Sequence, residues 1–334
     1  MRRGIQFVLA ALLLASVSWF WPGSRGNQIH GGALKLSRPL MGTLWTIEVA
    51  DAERPNEAHA AVDLAFAEIS RIETLMSEWL PNSPISQINA AAGKHPVAVP
   101  GEVSAILRRA LDYSARTEGA FDVTWRGMGS VWRFDDDFTV PAPEAVERAR
   151  RNVDYRALHV DGNLVYLDRA GMSIGLGGIA KGYAVDRAAE LLRMSGFSNS
   201  LVAGAGDILA SGTKVGTPWR LGVQDPRRDR GALLGTLPLS GAAISTSGDY
   251  ERFRIVDGVH YHHIIDPRTG WPARECISVS VVAPTAEQSD ALSTAIFVLG
   301  PEKGLVLARA AHVDVLIVDA SGKRHATGVY TSLR

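Results

Sequence analysis

Hydrophobic and polar positions recur along the chain in two periods, which together predict both strands and helices. Residues 44–49 alternate apolar and polar side chains with a period of two, which is typical of a half-buried strand. Over residues 56–76 apolar side chains recur every three or four positions, which predicts an amphipathic helix that is stopped by Pro81 and Pro84. The same period predicts a second helix over residues 101–116.

The rest of the pattern interleaves further strands and helices without a regular alternation. It predicts an irregular loop over residues 122–143, a hairpin of strands 158–160 and 164–167, a glycine-rich turn 175–182 leading into a helix through residue 192, strands between 201 and 253, helices 288–299 and 302–311, and a strand 313–318. This order favours a mixed α/β (α+β) fold over a doubly wound parallel sheet.

The N-terminus has the layout of an export signal. Arg2 and Arg3 precede an apolar run over residues 7–21 that ends at Pro22. The run is short for a membrane span, which needs about 20 residues, although an uncleaved anchor also fits. The sequence therefore predicts a signal peptide or N-terminal membrane anchor over residues 1–22, a linker over 23–34, and an exported, periplasmic domain over 35–334. For the apolar run, the alternative is a buried helix of the fold.

Composition narrows the classes of function. The 334 residues carry 35 basic and 35 acidic side chains, so no broad positive field is available to hold nucleic acid. The single cysteine, Cys276, excludes an internal disulfide and a cysteine-based metal cage, and its position favours a packing or surface role. Any anionic ligand must be held by a local site.

The strongest local motif is the glycine-rich turn Gly175-Leu-Gly-Gly-Ile-Ala-Lys181-Gly182. Its glycines let backbone approach a ligand closely, and the following helix offers free amide groups to a phosphate. The turn is not a Walker loop, and it fits the dinucleotide fingerprint only partly, because Gly204 follows the next strand where an acid would hold the ribose. A tight packing turn is the alternative. A second turn, Gly204-Ala-Gly206-Asp207, is interpreted as a plain turn.

Asp290 and Thr294 lie four residues apart on a predicted helix, so their side chains project from one face, with Ser293 alongside. Two hard oxygen ligands can begin a magnesium site that backbone carbonyls, water and phosphate complete. The alternative is a solvated helix face or an N-terminal cap.

Two adjacent histidines, His262 and His263, lead from a strand into the turn Asp266-Pro-Arg-Thr-Gly270. Neighbouring side chains on a strand face opposite ways, so only one of the two histidines can point into a site. A histidine of near-neutral pKa is a plausible proton acceptor for a hydroxyl nucleophile. The alternative is a surface turn with chance histidines.

Seven motifs occur together and in one order. They are Met41-Gly-Thr43, Met76-Ser-Glu-Trp79, Gly119-Ala-Phe-Asp122, Gly177-Gly-Ile-Ala-Lys-Gly-Tyr-Ala-Val-Asp186, Ser245-Thr-Ser-Gly-Asp-Tyr250, His263-Ile-Ile-Asp-Pro-Arg-Thr-Gly270, and Ala283-Pro-Thr with Ser289-Asp-Ala-Leu-Ser-Thr294. From about residue 40 to the C-terminus, this set resembles the FAD:protein FMN transferase family, ApbE. A co-linear series is far more specific than any single motif.

The resemblance implies a T-fold-like α/β architecture with its active site between two lobes. It also implies Mg²⁺ as cofactor, FAD as substrate, and a partner redox protein that accepts FMN on a Thr or Ser hydroxyl with release of AMP. By the resemblance, the FAD pocket is lined by Met41, Trp79, Ala120, Phe121, Asp122, Lys181 and Ile265. The metal is expected at Asp290, Thr294, Ser293 and the carbonyl of Gly178, and His263 is the candidate proton acceptor.

One departure from the family pattern is visible at Gly175, where many members carry Asp. Any flavin contact of Gly175 must therefore be made by its backbone. Two rival functions are a magnesium-dependent FAD pyrophosphatase, which splits the same bond with water, and a periplasmic flavin-binding protein without catalysis. A dehydrogenase that uses NAD ranks last, because its ribose acid is lacking.

Overall fold

The fold is built around a central antiparallel sheet. The computed structural model describes residues 28–30 and 32–333. In this part of the chain nine strands pair in the order β1-β2-β3-β7-β8-β11-β14-β15-β16. The strands are β1 Gln28–His30, β2 Ala33–Leu40, β3 Thr43–Val49, β4 Val97–Ala98, β5 Leu158–Asp161, β6 Leu164–Leu167, β7 Ser200–Gly204, β8 Asp207–Ser211, β9 Trp219–Gln224, β10 Leu233–Leu239, β11 Ala242–Gly248, β12 Phe253–Val256, β13 Val259–His262, β14 Cys276–Ala283, β15 Asp314–Asp319 and β16 Arg324–Ala326.

The helices cover one face of this sheet and build a second, smaller region beside it. They are α1 Pro55–Met76, α2 Pro84–Ala91, α3 Gly101–Arg116, α4 Pro143–Arg150, α5 Ala180–Met194 and α6 Ala286–Ala310, with short 3-10 helices at Val123–Met128, Tyr155–Ala157 and Gly328–Ser332. The smaller region holds a three-stranded sheet of order β4-β6-β5. The mixed α+β fold is confirmed.

Both faces of the central sheet are covered near its middle. Helix α6 packs on β11 and β14 from one side. From the other side the β9–β10 hairpin contributes Trp219 and Leu221 to a cluster with Val282. All eight residues of β14 are buried, as expected for a strand between two layers. Cys276 begins this strand, and burial raises the pKa of its thiol to about 12, which agrees with a packing role.

Three local expectations were wrong. Pro84 begins helix α2 rather than only stopping its predecessor, because proline is tolerated in a first turn and Ser83 caps that turn by accepting from Ser86 N. The interval expected as an irregular loop contains the 3-10 helix Val123–Met128 and ends at α4. The interval 23–34, expected as a linker, overlaps β1 and the start of β2. The proposed signal or anchor over residues 1–22 lies outside the described residues.

Helix α6 contains the break that the sequence predicted between two helical segments. Gly300 has φ +80° and is followed by Pro301, and a Cβ at this glycine would lie 2.0 Å from Glu275 Oε2. Within the described residues α6 is also the one helix long and apolar enough to cross a membrane. More than half of its most apolar window is buried in the fold, which is typical of a core helix in a soluble protein.

Helices α5 and α6 cross in backbone contact, and this crossing positions the candidate site. A Cβ at Gly182 would lie 2.2 Å from the carbonyl oxygen of Ala286, so only glycine permits the approach. Each helix also caps the other. Asp186 of α5 accepts hydrogen bonds from Ala286 N and Glu287 N, while Asp290 of α6 accepts one from Gly182 N.

Candidate functional site

The glycine-rich turn is held by hydrogen bonds to the 3-10 helix Val123–Met128. Gly175 N donates to the carbonyl of Val123 at 2.8 Å, and Trp125 Nε1 donates to the carbonyl of Gly175 at 3.2 Å. The turn then leads directly into α5 at Ala180. The turn is therefore held in place before any ligand binds, as a phosphate-binding backbone requires.

Three sequence-predicted residues meet at the second half of this turn. A Cβ at Gly178 would lie 3.2 Å from Phe121 Cε2 and 3.3 Å from Thr294 Oγ1. The structure thus brings together the Gly119–Asp122 motif, the glycine turn and helix α6. Gly178 is half-buried and Gly177 is exposed, so this backbone is accessible.

Lys181 links the glycine turn to two buried carboxylates. Its Nζ lies 2.8 Å from Asp207 Oδ2 and 3.5 Å from Asp290 Oδ2, and it also donates to the carbonyl of Gly177 at 3.1 Å. The Asp207 and Asp290 side chains are only 4% and 5% exposed, whereas that of Lys181 is 27% exposed. One ammonium therefore faces two carboxylates, and the cluster carries an excess of negative charge when all three groups are ionised.

The pKa values reflect this imbalance. Burial and the nearby Asp207 raise the pKa of Asp290 to about 7, against the opposing effects of Lys181 and Gly182 N. Burial alone would lower the pKa of Lys181, but Asp207 and Asp290 outweigh it and raise that pKa. A second cation beside Asp290 would favour its ionised form.

Hydroxyl groups from β11 and α6 form a hydrogen-bonded cluster at the backbone of Asp290. Ser293 Oγ donates to the carbonyl of Asp290 at 3.0 Å. Ser247 Oγ lies 2.9 Å from Ser293 Oγ and 3.3 Å from Thr294 Oγ1. Ser247 therefore ties together the two hydroxyls that the sequence placed in the metal site.

The oxygen donors at this point suit a hard cation. Asp290 offers a carboxylate, Thr294 a hydroxyl next to the backbone of Gly178, and Ser293 a second hydroxyl, which is the donor type that Mg²⁺ prefers. Among the described residues no group of three or more His, Cys, Asp or Glu forms a metal cluster. A site here would depend on hydroxyl and carbonyl oxygens and on the ligand phosphates.

The two histidines do face opposite ways. His262 is buried, its Nε2 lies 2.7 Å from the carbonyl of Ala273, and its Nδ1 accepts from Ile264 N at 3.3 Å. His263 is half-buried, and its buried Nδ1 has no hydrogen-bond partner within the described residues. Burial lowers the pKa of His263 to about 4, with smaller contributions from neighbouring cations that include Lys181. Of the two rings, His263 is the one with a nitrogen that makes no hydrogen bond within the described residues.

The remaining predicted FAD contacts divide between buried and exposed positions. Ala120 is buried, and so is Asp122, whose carboxylate accepts from Thr124 N, Thr124 Oγ1 and Tyr155 N. Burial raises the pKa of Asp122 to about 6 despite these bonds. Both oxygens of Asp122 are therefore engaged in holding the local backbone.

Three other predicted contacts lie in different surroundings. Trp79 is 70% exposed, and the guanidinium of Arg126 lies 4.5 Å from its ring centroid. Met41, in the β2–β3 turn with φ +48°, packs at the edge of the main core, and Ile265 is buried in an aromatic cluster with Trp132. Met41 and Ile265 are not among the contacts that join Lys181, Asp290, Thr294 and Gly178.

Sequence reasoning missed two residues of this cluster. Asp207 was interpreted as part of a plain turn, although a carboxylate directly after Gly204-Ala-Gly206 at a strand start was the available signal. Ser247 lies inside the motif Ser245-Thr-Ser-Gly-Asp-Tyr250 but received no role. The pairing of Asp207 with Lys181 depends on β8 and α5 being neighbours, which the linear pattern does not reveal.

Comparison with known proteins gives one consistent result. A sequence model of the ApbE family matches residues 41–317. An FAD:protein FMN transferase of Treponema pallidum is 34% identical over 315 residues, covering 89% of this chain and 87% of its own length. One of Vibrio cholerae is 30% identical and covers 95% of this chain and 94% of its own length. The solved structure of an ApbE protein from Thermotoga maritima matches with a TM-score of 0.83 at 33% identity, covering 90% of this chain and 99% of that chain. The flavin transferase ApbE from Vibrio cholerae matches with a TM-score of 0.78 at 29% identity, with the same coverage.

Proposed function

Because the chain belongs to the ApbE family, we propose that it transfers the FMN half of FAD to a Thr or Ser hydroxyl of an acceptor protein and releases AMP. The observation that carries the proposal is the junction of the glycine turn with Lys181 and Asp290. This junction offers backbone amides and a cation to a diphosphate, next to a carboxylate and hydroxyls that suit a metal ion.

The residues that would hold Mg²⁺ are Asp290, Thr294 and Ser293, together with the carbonyl of Gly178. When bound, the metal supplies charge withdrawal from the diphosphate, whose negative charge otherwise repels a nucleophile. The excess of carboxylate over ammonium in the Lys181 cluster supports the proposal, because a further cation lowers the free energy of the ionised Asp290.

The chain's own residues then perform two tasks, one before and one during the attack of the acceptor. Lys181 and the amides of the glycine turn hold the diphosphate and share its charge. The acceptor hydroxyl oxygen forms a bond to the FMN-side phosphorus, and the bond from that phosphorus to the bridging oxygen breaks, so that AMP leaves with that oxygen. His263 takes the proton of the hydroxyl. The Nδ1 without a partner supports this role, and the ring is neutral at pH 7; its pKa of about 4, below the near-neutral value expected from the sequence, makes it a weaker base than an ordinary histidine.

The proposed FAD pocket includes all the contact residues that the family resemblance implied. Gly175 is buried and its N–H and carbonyl already bond Val123 and Trp125, so a backbone contact of Gly175 with the ligand would have to share those bonds. Trp79 offers an exposed aromatic surface for the flavin, and Phe121 lies against the glycine turn. Transfer, rather than hydrolysis, further requires that the site admit a peptide while excluding water from the phosphorus. The remaining proposed contacts are Met41, Ala120, Asp122, Lys181 and Ile265.

Export to the periplasm is part of the proposal. It is supported by Arg2 and Arg3 ahead of the apolar run in residues 7–21. Fractionation of cells that express the full chain, with N-terminal sequencing of the product, tests it. A mature N-terminus beyond Pro22 indicates cleavage of a signal, an intact N-terminus in the membrane fraction indicates an anchor, and a soluble cytoplasmic product contradicts export.

The direct test of activity is incubation of the chain with FAD, Mg²⁺ and a flavin-accepting redox subunit, followed by mass analysis of the acceptor. We expect the acceptor to gain one FMN and one equivalent of AMP to appear. Free FMN and AMP without modified acceptor indicate an FAD pyrophosphatase. Tight binding of intact FAD with no product, with or without Mg²⁺, indicates a flavin-binding protein and removes the enzyme proposal.

A further inference from the structure

The carboxylate of Glu78 lies against the head of the glycine turn. Glu78 follows α1, and its side chain is only 9% exposed. A Cβ built on Gly175 would lie 3.2 Å from Glu78 Oε1. Gly175 thus leaves the space that Glu78 fills, and the turn has an acidic side chain beside it that comes from a different element.

Arg126 connects this carboxylate to the exposed ring of Trp79. Its Nε lies 3.8 Å from Glu78 Oε1, and its guanidinium carbon lies 4.5 Å from the Trp79 ring centroid. The absence of a side chain at Gly129 makes room for it, since a Cβ there would lie 1.6 Å from Arg126 Nη1. One arginine therefore holds both an acidic group and an aromatic platform.

The buried carboxylate of Glu78 is influenced by several nearby charges and backbone N–H groups. Burial raises the pKa of Glu78, while Arg126, the backbone N–H groups of Glu78 and Leu176, and Arg252 oppose the rise. The charge of Arg252 also lowers the pKa of His263. The charge of Arg252 therefore influences the ionisation of both residues.

We propose that Glu78 accepts a hydrogen bond from the flavin end of FAD, and that Arg126 is a positioning residue that orients Glu78 and Trp79 for this contact. The inference rests on the proposed function and names how its substrate is recognised. A flavin presents a flat ring together with N–H and ribityl O–H donors. An exposed tryptophan stacks on such a ring, and an ionised carboxylate, which only accepts hydrogen bonds, fits those donors.

The first experiment compares the binding of FAD, FMN and AMP to the wild-type protein and to Glu78→Gln and Glu78→Ala, each checked for folding by thermal unfolding. We expect affinity for FAD and FMN to fall about tenfold or more in Glu78→Ala, because a hydrogen bond to a charged group is lost. We expect a smaller loss in Glu78→Gln, which keeps the shape and an acceptor oxygen. Binding of AMP should not change.

The second experiment tests the space between Glu78 and Gly175. Gly175→Asp alone brings a second carboxylate next to the first and should weaken FMN binding. In the Glu78→Ala background the same substitution should restore part of the lost affinity, because it returns a single carboxylate to this place.

The third experiment tests the positioning role of Arg126. Arg126→Ala should raise KM for FAD more than it lowers kcat, and Arg126→Lys should recover little, since lysine lacks the planar group. Glu302→Gln, at an exposed position of α6, is the matched charge control.

Several outcomes overturn the inference. They are FMN affinity unchanged in Glu78→Ala, equal losses for FMN and AMP, or purely additive effects of the substitutions at positions 78 and 175. A wild-type protein that binds FAD but modifies no acceptor removes the proposed function and leaves this binding test valid. A wild-type protein that transfers FMN while the Glu78 variants bind normally removes only the present inference, and failure to bind FAD removes both.

Discussion

The two ends of the α5–α6 crossing use the same kind of side chain in different ways. At one end Asp186 has both oxygens occupied by backbone N–H groups of α6. At the other end the hydrogen bonds of Asp290 fall on Oδ2, which is shared by Gly182 N and Lys181. Burial raises the pKa of both carboxyls, to about 6 for Asp186 and about 7 for Asp290. Both oxygens of Asp186 are therefore engaged by the fold, whereas Oδ1 of Asp290 accepts no hydrogen bond within the described residues.

The histidine pair repeats this difference. His262 uses both ring nitrogens in hydrogen bonds to backbone, whereas His263 keeps a nitrogen without a partner in the described residues. Satisfaction of polar groups thus separates structural from candidate catalytic residues even where the residue types are identical and adjacent.

The strongest test of the comparison is Asp290→Ala against Asp186→Ala. We expect Asp290→Ala to reduce the rate of FMN transfer by about a hundredfold or more, because the charge that faces the metal and the diphosphate is lost. The rate is measured by mass analysis of the acceptor at saturating FAD and Mg²⁺. Full activity in Asp290→Ala would remove the metal assignment.

Replacing the histidines should produce the next largest effect. His263→Gln is expected to lower kcat by about a hundredfold, since general base catalysis contributes about that much or more, while His262→Gln acts mainly on stability. Because the pKa of His263 is lowered to about 4, its ring is neutral above that pH, and its loss of base activity should appear near pH 4 rather than near pH 6.5. A pH profile of kcat measures this.

The same lowered pKa has a consequence for stability. A histidine whose pKa is depressed by folding contributes stability that is complete above its unfolded value of about 6.5 and is lost as the pH falls toward 4. His263→Gln should therefore lose less free energy of unfolding than the wild type across that interval. Parallel denaturant titrations at pH 7 and pH 4.5 measure the difference; equal pH dependence contradicts it.

Asp186→Ala should act on stability rather than on rate. Loss of its carboxylate leaves Ala286 N and Glu287 N without their partner, so we expect the free energy of unfolding to fall by about 1–3 kcal/mol. The rate per folded molecule should change less than about tenfold. Denaturant unfolding together with the transfer assay separates these effects, and a stable but inactive variant would erase the proposed distinction between the two aspartates.

The smallest expected effect is on heat stability in the presence of metal. Addition of MgCl₂ to protein that is saturated with FAD should raise the Tm of the wild type by a few degrees, because a ligand that binds only the folded state stabilises it by about 3 kcal/mol at a hundredfold excess over Kd. The Tm of Asp290→Ala should not respond. An equal rise in both proteins would indicate a cation effect unrelated to this site.

The sequence predicted those parts of the fold that are encoded locally. The period of apolar positions placed α3 over Gly101–Arg116, and the Gly300-Pro301 pair separated the two segments of α6. It missed α2 and α4, because each begins with a proline that also ends structure. A proline can either end one helix or begin the next, and the local sequence alone does not distinguish these two roles.

The sequence predicted several residues of the candidate site but not the contacts between them. Lys181, Asp290 and Thr294 were named from motifs, and the structure brings Lys181 to Asp290 and Thr294 to Gly178. Asp207 escaped because its importance depends on which strand lies beside the glycine turn. Glu78 was missed because it contacts Gly175, which is 97 positions away in the sequence.

The reciprocal caps between α5 and α6 limit how this protein can change over time. Asp290 caps the first turn of α5 as well as facing the proposed reaction centre, so a lineage that stopped needing the reaction would still gain stability from an acid there. Descendants that had lost activity would retain this part of the signature. An aspartate at position 290 is therefore a weaker sign of a working enzyme than the hydroxyl at Thr294, which caps neither helix.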